Sequence, residues 1–167
     1  VGLFLRDASL EPQFGALLSA MLETMTERGP DSAGFAVYNE APEGKTKLTV
    51  REREGVDLDA VAARLGTAIG VPVSALRRDS HAIFYVPTDK VDDVRKLVAE
   101  SEPAVELVSI GAFMEIYKEV GLPADVAARF DLPSMSGTHG IGHTRMATES
   151  AVTTAGARPV TTAADQC

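Results

Sequence analysis

Gly137–Arg145, GTHGIGHTR, is the stretch on which the fold turns. Its glycines and its alternation read as a strand that enters a functional loop. Successive side chains of a strand point to opposite faces, so His143 and Arg145 share one face and Thr144 takes the other. An arginine in that position is able to grip a carboxylate through two parallel N–H···O bonds. Met146, Ala147, Thr148, Glu149 and Ser150 follow, so His, Arg, Thr and Glu gather around small residues. Taken singly, His143 reads as a satisfied core histidine and His139 as a loop residue. No two histidines stand at metal-ligand spacing on a helix, and a lone cysteine argues against a zinc site.

Working outward to the N-terminal side, Ala112–Val120 and Ala124–Phe130 read as two short helices split by Gly121-Leu122-Pro123. Before them lies a stretch of different rhythm. Asp57 is placed to cap a helix whose apolar face is Leu58, Val61, Ala62, Leu65 and Ile69. His81–Val86 reads as a strand, Thr88–Glu100 as a helix with Val91, Val94, Leu97 and Val98 inward, and Val105–Ile110 as a strand. This β-α-β stretch, roughly 53–110, is expected to be a small segment inserted in the main domain.

Nearer the start, Val1–Arg6 (VGLFLR) reads as a buried strand. From Leu10 to Met25 apolar residues recur at helical spacing, with Pro12 in the first turn and Gly29-Pro30 as the stop. Ser32–Asn39 reads as the next strand and Lys47–Arg51 as its hairpin partner. Between helix and strand stands Arg28-Gly29-Pro30-Asp31-Ser32-Ala33-Gly34. Asp31 and Ser32 are able to bond backbone N–H groups of the turn, Gly34 permits close backbone approach, and Arg28 carries a fork for a carboxylate. On its own this cluster is a well-made turn with a solvated arginine.

Composition sets the outer limits. The chain has 167 residues, fits one domain, and at 45% hydrophobic residues is able to bury a core. With 16 basic against 24 acidic residues the formal charge is −8, which disfavours nucleic acid and anionic membranes as partners. No apolar run approaches the roughly 20 residues that span a bilayer. The single cysteine, Cys167, excludes an internal disulfide and reads as a small buried hydrophobe rather than a nucleophile. A soluble, reducing, cytoplasmic setting is expected. Val1 opens inside an apolar run and Cys167 stops in mid-phrase, so the sequence is expected to be cut at both ends.

Together and in this order, RGPDSAG (28–34) and GHTRMAT (142–148) resemble the class II glutamine amidotransferases, which are N-terminal-nucleophile hydrolases. Val1-Gly2-Leu3-Phe4 resembles the tail of that family's Cys-Gly-Ile-Val/Phe-Gly opening. EIYKEVGLPADVAARF (115–130) and GTHGIGHTRMATESAVTT (137–154) are similar to a narrower group, the amidotransferase subunits of glutamate-synthase-like and N-methylglutamate-synthase-like enzymes. The resemblance covers the whole chain. It implies an α/β (α+β) fold, a four-layer αββα sandwich with mainly antiparallel sheets, of which 1–167 is a partial domain. It implies hydrolysis of glutamine to glutamate and ammonia for a partner synthase, without metal or organic cofactor. A thiolate attacks the amide carbon, and the α-amine of the same residue serves as base.

Residue by residue, the resemblance makes Arg145 the binder of the glutamine carboxylate. Met146 stands where several members have tryptophan, and Thr148 lines the same pocket. Arg28 matches an arginine near the nucleophile; Asp31 and Gly34 match shape-setting positions; His143 belongs to the motif. Glu149 replaces a histidine of some members. No catalytic residue lies in the chain itself: the nucleophilic cysteine is expected three residues before Val1, and the oxyanion-hole pair after Cys167. The peptide alone is therefore expected to be inactive. The other reading is a non-catalytic relative that binds glutamine or regulates a partner. Oligomeric state is left open, an oligomer being compatible with the sequence.

Overall fold

The computed structural model describes residues 1–146, 153–154 and 157–160. In chain order the elements are β1 (Gly2–Phe4), α1 (Phe14–Glu23), β2 (Ser32–Tyr38), β3 (Lys45–Glu52), α2 (Leu58–Ile69), β4 (Ser74–Arg78), β5 (His81–Pro87), α3 (Val91–Ser101), β6 (Val105–Gly111), β7 (Met114–Val120), α4 (Pro123–Arg129) and β8 (His139–Arg145). Among the described residues these make a mixed α/β fold of four α-helices and two four-stranded sheets, ordered β1-β8-β2-β7 and β4-β5-β3-β6. Among the described residues no helix is long and apolar enough to cross a membrane.

The chain divides into two compact units. The first takes residues Val1–Asn39 and Ile116–Val160. In its sheet, β8 pairs antiparallel with β1 on one edge and with β2 on the other. α1 buries Phe14, Leu18 and Leu22, residues four apart that fall on one helical stripe. Phe14 and Leu18 pass close over Gly140 of β8. α4 closes the same core, where Phe35, Tyr117 and Phe130 form a cluster with ring centroids 5.3, 5.4 and 6.2 Å apart. Offset and edge-on aromatic pairs at such spacings add about 0.5–1.5 kcal/mol each beyond the area they bury.

The second unit spans Glu40–Glu115. Its elements run β3-α2-β4-β5-α3-β6, and every neighbouring pair of strands is antiparallel. β5 lies between β3 and β4, and β3 between β5 and β6, so each β-α-β crossover skips a strand. This is the split arrangement of ferredoxin-like βαββαβ units. Asp57 caps α2, its carboxylate accepting from Asp59 N–H at 3.0 Å, and Gly70 ends the helix at φ 74°. Leu48, Val50, Phe84 and Val86 from the strands meet Leu58, Val61 and Leu65 of α2 in the core. The compact unit begins earlier than the roughly 53–110 stretch marked from sequence, since it takes in β3.

Three readings of the sequence need correction. Lys47–Arg51 is a strand, but not the hairpin partner of Ser32–Asn39: β3 pairs with β5 and β6, while β2 lies in the other sheet. Ala112–Val120 is no helix, because Met114–Val120 forms β7. Its residues from Met114 to Lys118 are all buried, and a strand covered on both faces lacks the alternation that separates strand from helix. Finally, β1 is not a buried strand: it is a short edge, with Phe4 69% exposed.

Candidate functional site

β8 has two chemically distinct faces. Gly140 faces α1, and by alternation Gly142 and Thr144 do too. His139, Ile141, His143 and Arg145 lie on the other face. His139 is a strand residue, as the Gly137–Arg145 stretch suggests and not the loop residue it suggests taken singly, and stacks on Tyr38 with ring centroids 4.2 Å apart. Across the sheet His143 pairs with Gly34 of β2, and Ser32 pairs with Arg145. Lys118 of β7 flanks Gly34 on the far side, 2.8 Å from where a Cβ would stand.

Gly34 has a physical reason to be glycine. A Cβ there meets the Arg158 carbonyl oxygen at 2.2 Å and the Tyr117 carbonyl oxygen at 2.9 Å. The backbone at Arg158 therefore lies directly on the sheet, in a trough between His143 and Lys118. Crowding around the ring holds the His143 pKa below the ordinary imidazole value, with further lowering by the positive charge of Arg158. The ring is open to solvent on part of its surface, yet the packed side dominates the shift. Upstream of Arg158, Thr154 donates a hydrogen bond to the Glu119 carboxylate, which also accepts from Val120 N–H at 2.9 Å.

Near the end of β8 a cleft of about 250 Å³ is lined by Val1, Met25, Arg28, Gly142, His143 and Thr144. Arg28 ends a short 3-10 turn, Thr26–Arg28, that follows α1 and presents it at the surface. Val1 and Gly142 exchange both backbone bonds, at 2.7 and 2.9 Å. Asp31 contributes its main chain: its N–H donates to the Arg145 carbonyl at 3.1 Å, and its own carbonyl accepts from Gly121 N–H at 3.0 Å. Arg145 is half-buried, and Met146 beyond it is 52% exposed.

Arg28 and His143 are thus brought to one cleft, Arg145 two residues along the same face of β8, Asp31 onto the Arg145 main chain, and Gly34 across from His143. Thr148, Glu149 and Cys167 lie outside the described residues. Sequence reasoning passed over Arg158, Glu119 and Gly29. For Arg158 and Glu119 no local signal exists, since their roles come from distant contacts. Gly29 stood in view but was read only as a helix stop.

No family model matches the chain. It is 54% identical, over 168 aligned positions and its full length, to the glutamine amidotransferase-like protein GlxB of Rhizobium meliloti (strain 1021). It is 29% identical over 160 positions, 90% of its length, to a protein of Methanothermobacter thermautotrophicus that carries a provisional glutamine amidotransferase name. The chain spans 56% and 52% of these two proteins, about half of each. By sequence the chain is therefore a homologue of proteins named as glutamine amidotransferases or likened to them.

Proposed function

We propose that this chain is the greater part of a class II glutamine amidotransferase domain, which hydrolyses glutamine and passes ammonia to a synthase partner. The observation that carries the reading is a strand register. Gly2 pairs with Ile141 and Leu3 with Gly140, so each step back along β1 is one step forward along β8. Continued in that register, the residue three before Val1 falls across from Arg145 and on its face. That is where the resemblance sets the nucleophilic cysteine. The cleft between Arg28 and His143 leaves room for the intervening residues.

In this reading the Arg145 guanidinium forks onto the α-carboxylate of glutamine and sets the side-chain amide against sulfur. The terminal α-amine, with an ordinary pKa of about 8, takes the thiol proton and later gives it to the leaving ammonia. Thr148 and Met146 line the pocket, Arg28 orients the amino terminus, and oxyanion donors beyond Cys167 stabilise the tetrahedral intermediate. The fold of this reading is the four-layer αββα sandwich, with the sheet β1-β8-β2-β7 as one of its two inner layers. Residues 40–115 are then an insertion, and the cytoplasm is the setting.

A second reading, a non-catalytic glutamine-binding module, draws on the exposed Met146 at the tryptophan position and on the name of GlxB, which says only amidotransferase-like. Steady-state glutaminase kinetics on the complete open reading frame separate the two. The expected outcome is ammonia release that Arg145→Ala lowers by on the order of 100-fold in kcat/KM, the worth of a lost charge-assisted fork. Arg145→Lys recovers only part of it, since lysine has no fork. Glutamine binding without turnover supports the second reading. An unchanged kcat/KM in Arg145→Ala removes Arg145 from the site.

A further inference from the structure

We infer that Gly29 is a positioning residue, the point at which the turn before β2 clamps the main chain of Arg145 and thereby fixes its guanidinium. The inference rests on the reading of Arg145 as the carboxylate binder. It comes from how the end of β8 is held. On the β2 side Arg145 is gripped repeatedly: Ser32 pairs with it, Pro30 bridges to it, and Asp31 N–H donates to its carbonyl at 3.1 Å.

Gly29 permits that grip. It is buried, and a Cβ there stands 2.5 Å from Arg145 N, 2.7 Å from Thr144 C and 2.7 Å from Thr144 Oγ1. Two of the three are main-chain atoms, so no rotamer change relieves the overlap. Its φ of −167° is ordinary extended backbone, so the requirement is for space and not for an unusual conformation. Ordinary contact begins at 3.4 Å, hence an added methyl pushes the turn and the end of β8 about an ångström apart. Thr144 Oγ1 donates to Met25 O at 3.4 Å, a bond that ties the same strand end to the residue before the turn. A displacement of about 1 Å at a group that holds the substrate carboxylate in ground and transition state alike weakens uniform binding, which is read in KM rather than in kcat.

The test uses the complete open reading frame and compares Gly29→Ala with Arg145→Ala in glutaminase kinetics and far-ultraviolet circular dichroism. The expected result is a folded Gly29→Ala protein whose glutamine KM rises about tenfold or more while kcat changes less than about threefold. A fall in kcat at unchanged KM, or no change in either, overturns the clamp if Arg145→Ala has lowered kcat/KM. If Arg145→Ala leaves kcat/KM unaltered, the underlying site reading fails and the clamp falls with it, a result distinct from failure of Gly29 alone. Should Gly29→Ala not fold, hydrogen exchange on the unaltered protein decides. Saturating glutamine is expected to slow exchange of the Asp31 amide about tenfold, because the ligand braces the carbonyl it bonds; an unchanged rate overturns the proposal.

Discussion

Gly34→Ala tests the packing of the site at its most crowded point. The added methyl meets the Arg158 carbonyl oxygen at 2.2 Å, and the nearest ordinary contact is 3.4 Å, so one group must retreat by about 1.2 Å. β2 has little freedom to yield, since Lys118 Cβ and Tyr117 O stand 2.8 and 2.9 Å away on the neighbouring strand and His143 pairs on the other side. The backbone at Arg158 is therefore the part that lifts. Overpacking of this kind costs about 1–3 kcal/mol, read as a lower midpoint in urea at unchanged slope. The site registers the lift as well. Packing around the ring and the Arg158 charge both lower the His143 pKa, so withdrawal of that backbone relieves both and moves the pKa up toward 6.5. Ring-proton NMR titration of His143, run beside the urea melt, reads the two effects on one sample. A Gly34→Ala protein with wild-type stability and an unmoved His143 titration refutes the reasoning, because it means the 157–160 backbone does not rest on the sheet.

Two further outcomes follow from buried and shifted charges. Lys47 is fully buried in the second unit, its ammonium 3.0 Å from the Glu115 carboxylate and 2.9 Å from the Phe113 carbonyl. Lys47→Met takes the ammonium away from a buried carboxylate and is expected to cost about 3–5 kcal/mol, whereas Lys47→Met with Glu115→Leu recovers most of it; a urea double-mutant cycle with additive losses contradicts this. The fold lowers the His143 pKa below its unfolded value of 6.5, so the native state binds fewer protons than the unfolded chain. Its contribution to stability is complete above 6.5 and is lost as pH falls through the lower folded value. Compared with His143→Asn, the wild-type protein is expected to lose relative stability on acidification below 6.5, and a pH-independent difference speaks against the shift.

Local chemistry was legible where it acts locally. The Asp57 cap, the α2 stripe from Leu58 to Leu65, the α3 stripe at Val94 and Val98, and the β8 run ending at Arg145 all follow from spacing alone. The partner of a strand does not. Lys47–Arg51 alternates correctly, but nothing within it states that β5 and β6 will flank it. β7 misled for a different reason: Glu115, Lys118 and Glu119 suit a solvated helix, and only tertiary contacts such as Lys47–Glu115 make a buried charge tolerable in a strand. β4, exposed along most of its length, carries too little apolar signal to stand out. At the site, the same-face placement of His143 and Arg145 could be read from alternation. The close approaches at Gly29 and Gly34 could not, since their neighbours lie more than eighty residues away along the chain.

The order of the first sheet has a bearing on how such a chain diversifies. β2 and β7 lie side by side there, although residues 39–113 separate them along the chain. A polypeptide that passed from one to the other by a tight turn would keep every strand of that sheet in its place. If, as proposed, residues 40–115 are an insertion, the gain, loss or exchange of the βαββαβ unit leaves the register of β8, and with it Arg145, untouched.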